Sequence, residues 1–385
     1  MDTLRLVFAG ALALVAVVAL GQLAWGYLQI PRLADSSSSG TDEVTPMVSI
    51  VVAARDEERH IAAAVTKLLR QRYPAYELIV VDDRSRDRTA EILAPLERVH
   101  ERLHVVRVDD LPRGWLGKNH ALHVGAEHAT GEYILFADGD VMLAEDALAC
   151  AVRLLRRERL DHLAVAPLMI APTWPLALVV NYFMMWFLLY TKAWRARLPR
   201  SSAFIGIGAF NMVRAKAYRS VGGHTRIAMR PDDDLMLGKL LKRAGCRQLL
   251  ASGEREVSVE WYHSLGELAR GFRKNAFAGL HYSVLLTLGA VIGNLLIAVV
   301  PFVAVWMTDG REQALYATAA LAQVIAYAGP LLRQQSRPWL ALLYPLASIL
   351  FTWILAAAVL RTLRHHGIEW RGTAYSLDEL RSNRV

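Results

Sequence analysis

The chain has 385 residues, 54% of them hydrophobic and 21% charged, with a formal net charge of +8 and two cysteines, Cys150 and Cys246. That length accommodates one large domain with attachments, and two cysteines exclude a disulfide scaffold and fit a reducing compartment. The basic residues gather beside apolar runs and tryptophans, as at 192–197 and 361–371, which points to anionic headgroups and away from nucleic acid, since no groove-reading helix or zinc module accompanies them.

Residues 6–30 form a run of 25 without a charge. A helix of about 20 apolar residues crosses a bilayer, and the run exceeds the roughly 7 to 15 residues of a signal h-region, so the pattern predicts a retained membrane anchor over 1–34. Residues 35–45, with four consecutive serines, read as a flexible linker. From residue 46 the pattern alternates. Strands are predicted over 48–53, 78–81, 103–108 and 133–137, and helices over 57–70, 89–100 and 118–129. Such alternation predicts an α/β domain with a mostly parallel, doubly wound sheet, here spanning 46–280.

Residues 163–191 are again uncharged, but Pro167, Pro172 and Pro175 break the first half. That leaves 174–190 as a helix lying in the membrane interface or buried in the core, the interfacial reading being preferred. Three further uncharged runs, of 26, 19 and 22 residues at 282–307, 314–332 and 339–360, predict about three transmembrane helices within 281–362, followed by a basic tail over 363–385. Arg333 and Arg337 flank one short loop and a single basic residue, Arg311, lies in the next, so the positive-inside rule puts the former in the cytoplasm. Strict alternation would carry the basic tail outside. One candidate therefore does not span, and the run 282–307, with Gly289, Gly293 and Asn294, is the one suited to re-entrance.

The most informative motif is Asp138-Gly139-Asp140, directly after the apolar strand 133–137. Alone it reads either as a surface turn or as a pair of oxygen ligands for Mg²⁺ or Mn²⁺ shared with a phosphate. Its surroundings favour the second reading. Two earlier strands end in polar turns, at 54–58 and at 82–89, and ligands of open α/β sheets collect at such carboxyl ends. Gly114-Trp115-Leu116-Gly117-Lys118 then sets a cation before a helix whose N-terminus favours anions. Asp232-Asp233-Asp234 opens another helix. Helix-capping is the plain reading for Asp232 and Asp87, while crowded carboxylates raise one another's pKa and so suit general-base work.

In this order the motifs resemble the family 2 glycosyltransferases of the GT-A fold, over about residues 46–280, and within them the membrane-embedded lipid type, closest to hopene-associated and similar to ceramide glucosyltransferases. The resemblance implies a hexosyltransferase that moves a sugar from a nucleotide-diphosphate donor, UDP-sugar foremost, to a hydroxyl of a membrane lipid, a hopanoid or sphingolipid-like acceptor. It implies that Ala54, Arg55, Glu57, Asp83, Lys118 and Asp138 hold the nucleotide-sugar. Asp140, with Asp138, would bind Mg²⁺ or Mn²⁺, and Asp234 would be the base, Asp233 being its alternative. Arg270 and Arg273 match a juxtamembrane motif contacting diphosphate and acceptor, although Lys274 stands where that motif has Trp. His263 lies beside the expected acceptor entrance. His120, His123 and His128 lack partners at zinc spacing and read as surface or core residues. The implied location is the inner membrane, multi-pass, with the catalytic domain facing the cytoplasm. An inactive sugar-nucleotide-binding scaffold is the alternative; a transporter is disfavoured by the scarcity of ionisable residues in the candidate spans.

Overall fold

The computed structural model describes residues 2–36, 45–370 and 372–383. Most of the predicted linker, residues 37–44, lies outside them. In chain order the elements are α1 (Asp2–Gln29), β1 (Val48–Ala54), α2 (Ile61–Leu68), β2 (Tyr76–Asp83), α3 (Thr89–Val99), β3 (Leu103–Val108), α4 (Gly117–His128), β4 (Tyr133–Asp138), β5 (Val141–Leu143), α5 (Ala147–Arg157), β6 (His162–Ala166), β7 (Leu168–Met169), α6 (Trp174–Thr191), β8 (Asn211–Arg214), α7 (Ala215–Ser220), α8 (Asp233–Arg243), β9 (Gln248–Ser252), β10 (Val257–Val259), α9 (Leu265–Asn275), α10 (Val284–Ala298), α11 (Val300–Ala304), α12 (Gly310–Arg333), α13 (Tyr344–Arg364), β11 (Gly367–Trp370), β12 (Thr373–Ser376) and α14 (Leu377–Ser382).

Two compact units share the chain: one holds 30–168 and 193–260, the other 2–29, 169–192 and 261–381. Residues 169–192 and 261–280, read from sequence with the α/β domain, thus cluster with the apolar helices.

The first unit is built on a seven-stranded sheet of order β3-β2-β1-β4-β8-β6-β9. β1 pairs in parallel with β2 and β4, and β2 with β3, so their carboxyl ends share one edge. β8 runs antiparallel to β4 and β6. Because β8 begins where β4 ends, with Phe136 opposite Asn211, the chain just before β8 is delivered to that same edge. Both faces of β1 and β2 are covered, which is why they read as unbroken apolar runs. Val51, Ile79 and Val81 pack on Ala121, Leu122 and Ala126 of α4, while Ile50, Leu78 and Val80 are buried on the opposite face.

Four predicted strands and the helices before β3 and β4 match their positions to within a few residues. The helix predicted over 57–70 does not start until Ile61. A turn over residues 58–60 precedes it, and this stretch is tied to the next loop: Glu57 N–H donates to Thr89 Oγ1 at 2.8 Å and Glu58 N–H to Asp87 Oδ2 at 3.0 Å.

In the apolar unit, α1 packs along α12 through small residues, Ala13 and Ala16 against Ala319 and Ala322, which lets two backbones approach closely. Five helical stretches are long and apolar enough to cross a membrane: Thr3–Gln29, Trp174–Arg195, Val284–Ala304, Gly310–Arg333 and Pro338–Arg364. α6 is buried through Leu176–Tyr182 and exposes Trp174 and Tyr190. Inside the bundle Tyr182 Oη donates to Asn294 Oδ1 at 2.7 Å, and Asn294 Nδ2 donates to Ser348 and Thr352. The predicted tail is folded, as the antiparallel hairpin β11–β12 and α14.

Candidate active site

Register alone brings the first residues together. Ala53 pairs with Asp138 and Ala54 with Asp82, so the ends of three adjacent strands carry Arg55, Asp82, Asp83 and Asp138 along one edge. The turns that follow are locked to each other. Asp56 and Arg84 both adopt left-handed backbone, φ 53° and 58°, a conformation that non-glycine residues hold only when neighbours enforce it. Here Asp56 N–H donates to Ser85 Oγ at 3.0 Å, and Arg86 N–H to Asp56 Oδ1 at 2.8 Å. Asp87 accepts from the Thr89 amide at the start of α3, at 2.9 Å, and from the Thr89 hydroxyl, the cap-like role read for it from sequence.

Asp83, assigned to the nucleotide by resemblance, accepts two bonds from Arg84, at 2.7 and 2.9 Å, and lies 4.0 Å from Arg55. Its neighbour Asp82 is 1% exposed, and its Oδ1 has no hydrogen-bond partner, a costly state for a buried acceptor.

Lys118, in the first turn of α4, is the hub. Its ammonium lies 2.8 Å from Asp138 Oδ1 and 3.5 Å from Asp233 Oδ1. Burial opposes its charge, but Asp138, Asp233 and Asp234 outweigh that and raise its pKa above the ordinary lysine value. α4 is pinned here by Asn119, wholly buried, whose amide donates to the carbonyls of Ile227, Ala228 and Arg230 at 2.9, 3.1 and 2.9 Å. Those carbonyls belong to the segment leading into α8. Asp232 pairs with Arg230 at 2.7 and 2.8 Å just ahead of that helix.

Asp234 is joined to Asp138 through the strand-like segment before β8. Gly208 N–H donates to Asp234 Oδ2 at 2.6 Å, Leu235 N–H donates to Asp234 Oδ1 at 2.8 Å, and Asp138 N–H donates to Gly208 O at 3.1 Å. A Cβ at Gly206 would overlap the Asp234 carbonyl, and one at Gly208 would stand 2.7 Å from Asp138 Oδ2; only glycine lets this segment lie on both. Burial first, then Asp233, pushes Asp234 up to about 7, in the range of a working base. Burial first, then Asp138, pushes Asp140 up to about 6. Asp140 nevertheless stays exposed, and Asp234 and Lys118 are only partly buried, which describes groups crowded by protein yet open to solvent on one side, as in a recess.

A divalent ion suits this recess. Two adjacent carboxylates whose repulsion, with added negative charge from Glu57, disfavours ionisation of Asp140 would be relieved by a cation. Among the described residues no group of three or more His, Cys, Asp or Glu side chains is arranged to hold a metal. Asp138 and Asp140 are two carboxylates of the hard-oxygen type that Mg²⁺ or Mn²⁺ takes when its remaining positions are shared with water and phosphate.

The structure thus gathers Arg55, Asp83, Lys118, Asp138, Asp233 and Asp234 in one unit, with Glu57 close enough to Asp140 to act on it. Arg270, Arg273 and His263 belong to the other unit, on α9 or just before it; burial and the nearby Arg361 and Arg270 lower the pKa of Arg273. His263 N–H donates to Glu267 Oε2 at 2.9 Å and Ser264 Oγ accepts from Glu267 N–H, a capping arrangement that begins α9. Sequence reasoning missed Asn119, Gly206, Gly208 and Asn211, whose amide reaches the Asp234 carbonyl at 3.4 Å. The glycine pair flanking Ile207, just before an apolar strand, was the available signal.

This sheet edge, with Asp-Gly-Asp, a lysine at a helix N-terminus and an acidic pair of which Asp233 is buried and Asp234 partly so, sits on an α/β fold of the GT-A class. Residues 49–222 match the family described as Glycosyl transferase family 2, and the protein is a glycosyltransferase. It is 25% identical over 259 residues to the 4,4'-diaponeurosporenoate glycosyltransferase of Staphylococcus haemolyticus, covering 66% of this chain and 68% of that protein. It is 38% identical over 122 residues to the β-monoglucosyldiacylglycerol synthase of Trichormus variabilis, covering 31% of this chain and only 26% of that protein. A mannosyltransferase from Pyrobaculum calidifontis, solved in complex with GDP-Man and Mn²⁺, superposes with a TM-score of 0.55 at 19% identity over 92% of this chain and 99% of that one, a likeness of fold.

Proposed function

We propose that the protein transfers a sugar from a nucleotide-diphosphate sugar, UDP-sugar foremost, to a hydroxyl of a membrane lipid, with inversion and with a divalent metal. The observation that carries this is the continuous link Asp138–Lys118–Asp233 and Asp138–Gly208–Asp234 at one sheet edge. Asp140 and Asp138 are the residues that would hold Mg²⁺ or Mn²⁺, which when bound neutralises the charge of the diphosphate leaving group.

The chain's own groups do the rest. Two backbone amides orient the Asp234 carboxylate and still leave each oxygen a lone pair. Asp234 takes the proton of the acceptor hydroxyl as that oxygen bonds to the anomeric carbon. The bond from that carbon to the diphosphate oxygen breaks, its electron pair leaving with the diphosphate. One displacement inverts the centre. Lys118 stands at the N-terminus of α4, where a cation and the helix dipole favour a phosphate, and Ala54, Arg55, Glu57 and Asp83 line the nucleotide side. Arg270, Arg273 and His263 are assigned to diphosphate and acceptor.

A lipid acceptor is supported by the five apolar helices and by two relatives whose names specify diaponeurosporenoate and diacylglycerol. Hopanoids and sphingolipid-like molecules are the acceptors suggested by sequence resemblance. The same helices support a multi-pass membrane protein; the inner membrane, with the catalytic domain facing the cytoplasm, is the location suggested by the sequence resemblance and by the arginines at 333 and 337. The test incubates detergent-purified protein with a panel of UDP- and GDP-sugars, Mn²⁺ and total membrane lipid, and reads new glycolipid by mass. Neither transfer nor donor hydrolysis with any sugar would leave an inactive sugar-nucleotide-binding scaffold as the better reading.

A further inference from the structure

His224 is a buried polar residue that the transfer step does not use. It is 1% exposed, with Phe136 edge-on to its ring at 4.9 Å and 76° and Tyr218 on another side at 5.6 Å and 50°. These rings confine the imidazole to a slot. Burial first, then the charges of Lys118 and His123, pushes its pKa down to about 3, so it is neutral at any working pH.

Its hydrogen bonds are compatible with one tautomer in particular. Tyr218 Oη accepts the His224 backbone N–H at 3.1 Å and lies 2.8 Å from Nδ1. The assigned arrangement has the hydroxyl give its one proton to Nδ1, which puts the ring proton on Nε2. Nε2 lies 3.9 Å from Asp233 Oδ2, and Lys118 lies 3.5 Å from Asp233 Oδ1. The first distance exceeds a hydrogen bond, so what faces Oδ2 is an N–H dipole. Asp233 is thereby addressed at both oxygens from opposite partners, and its side chain is 5% exposed. Asp234 is less buried and meets only backbone amides in the contacts described above.

We infer that Tyr218 and His224 are positioning residues that hold Asp233 as a fixed anion beside Lys118, and so leave Asp234 as the carboxylate that takes the acceptor proton. The inference rests on the reading of Asp233 and Asp234 as the acidic pair of a sugar-transfer site. It requires an N–H at the Nε2 position, not merely a ring in the slot.

Three substitutions in the full-length protein separate the two roles. Phe fills the slot without a donor, a Gln amide reaches the Nε2 position, and an Asn amide reaches only the Nδ1 position. Using whichever UDP- or GDP-sugar the wild type transfers to membrane lipid, His224→Phe and His224→Asn should each lower kcat by at least about tenfold, with donor KM held within about twofold. His224→Gln should recover to within about threefold of wild type, and Tyr218→Phe should fall between. A His224→Phe enzyme with wild-type kcat, or a Gln variant as poor as Asn, overturns the inference while transfer itself stands. Should the Phe variant fail to fold, the Gln and Asn pair decides alone. A wild type that transfers no sugar refutes the underlying reading, and this inference with it.

Discussion

Transfer should follow the ionisation of Asp234, and the structure says where that ionisation falls and how it moves. With its pKa pushed from 3.8 up to about 7, about a tenth of the sites are ionised at pH 6 and about nine-tenths at pH 8, so kcat/KM should rise roughly tenfold across that interval. An ordinary carboxylate would be ionised throughout and give a flat profile. Two substitutions then push in opposite directions. Asp233→Asn removes the like charge that raises Asp234, so the acid limb moves to lower pH; Lys118→Met removes the cation that lowers it, so the limb moves to higher pH. Each displacement should be on the order of one pH unit. Initial rates from pH 5 to 9 at saturating Mn²⁺ and donor measure the limb's position, which is read from the shape of the curve and not its height. Saturating metal keeps Asp140 from titrating in the same window. A wild-type limb centred near pH 4, or a limb that moves the same way in both variants, refutes the assignment of Asp234.

The same shift has a stability consequence. Asp234 holds its proton more tightly folded than unfolded, so its contribution is most favourable below about pH 4 and is lost as pH rises through about 7; the melting temperature of Asp234→Asn relative to wild type should therefore climb between pH 5 and 8. Asp140→Ala should cut transfer by on the order of a hundredfold and weaken Mn²⁺ binding measured by electron paramagnetic resonance, while the melting temperature at neutral pH does not fall, since the change removes a carboxylate whose ionisation the fold opposes. Gly208→Ala should displace Asp138 from Lys118 and impair transfer, whereas at Gly139 an added Cβ meets nothing nearer than 3.6 Å, so Gly139→Ala should preserve fold and much of the activity. Asn119→Ala removes the buried amide shared by three carbonyls, of which Ile227 and Ala228 keep backbone donors, and should cost about 1–3 kcal/mol in denaturant or thermal unfolding.

The alternation of strands and helices was legible up to β4, because buried parallel strands are apolar throughout and the helices between them carry a regular stripe. The start of α2 was not, since residues 56–58 are tied to Ser85, Asp87 and Thr89, some thirty residues on, contacts that no local pattern shows. The position of Asp138 and Asp140 at a strand's carboxyl end was legible from the apolar run before them. The part played by residues 206–208 was hidden, because nothing local to those glycines announces that β8 runs antiparallel and returns the chain to the edge where Asp138 stands. His224 was passed over for the same reason: its importance lies in Tyr218 and Asp233, which pack against it only in three dimensions.

Local order and solvent preference are written in the chain itself: which runs avoid water, which turns break them, and which residue types could bind a phosphate or take a proton. Those properties depend on neighbours a few positions away, so the α/β pattern, the apolar helices and the acidic motifs follow from sequence. Which acid faces which partner does not, because distances such as 2.8 Å from Lys118 to Asp138 and 2.6 Å from Gly208 to Asp234 join residues far apart in the chain. Burial first, then the charge of Asp233, raises Asp234 to about 7 against the lowering effect of Lys118, and these surroundings exist only once the sheet edge, α4 and α8 have closed around it.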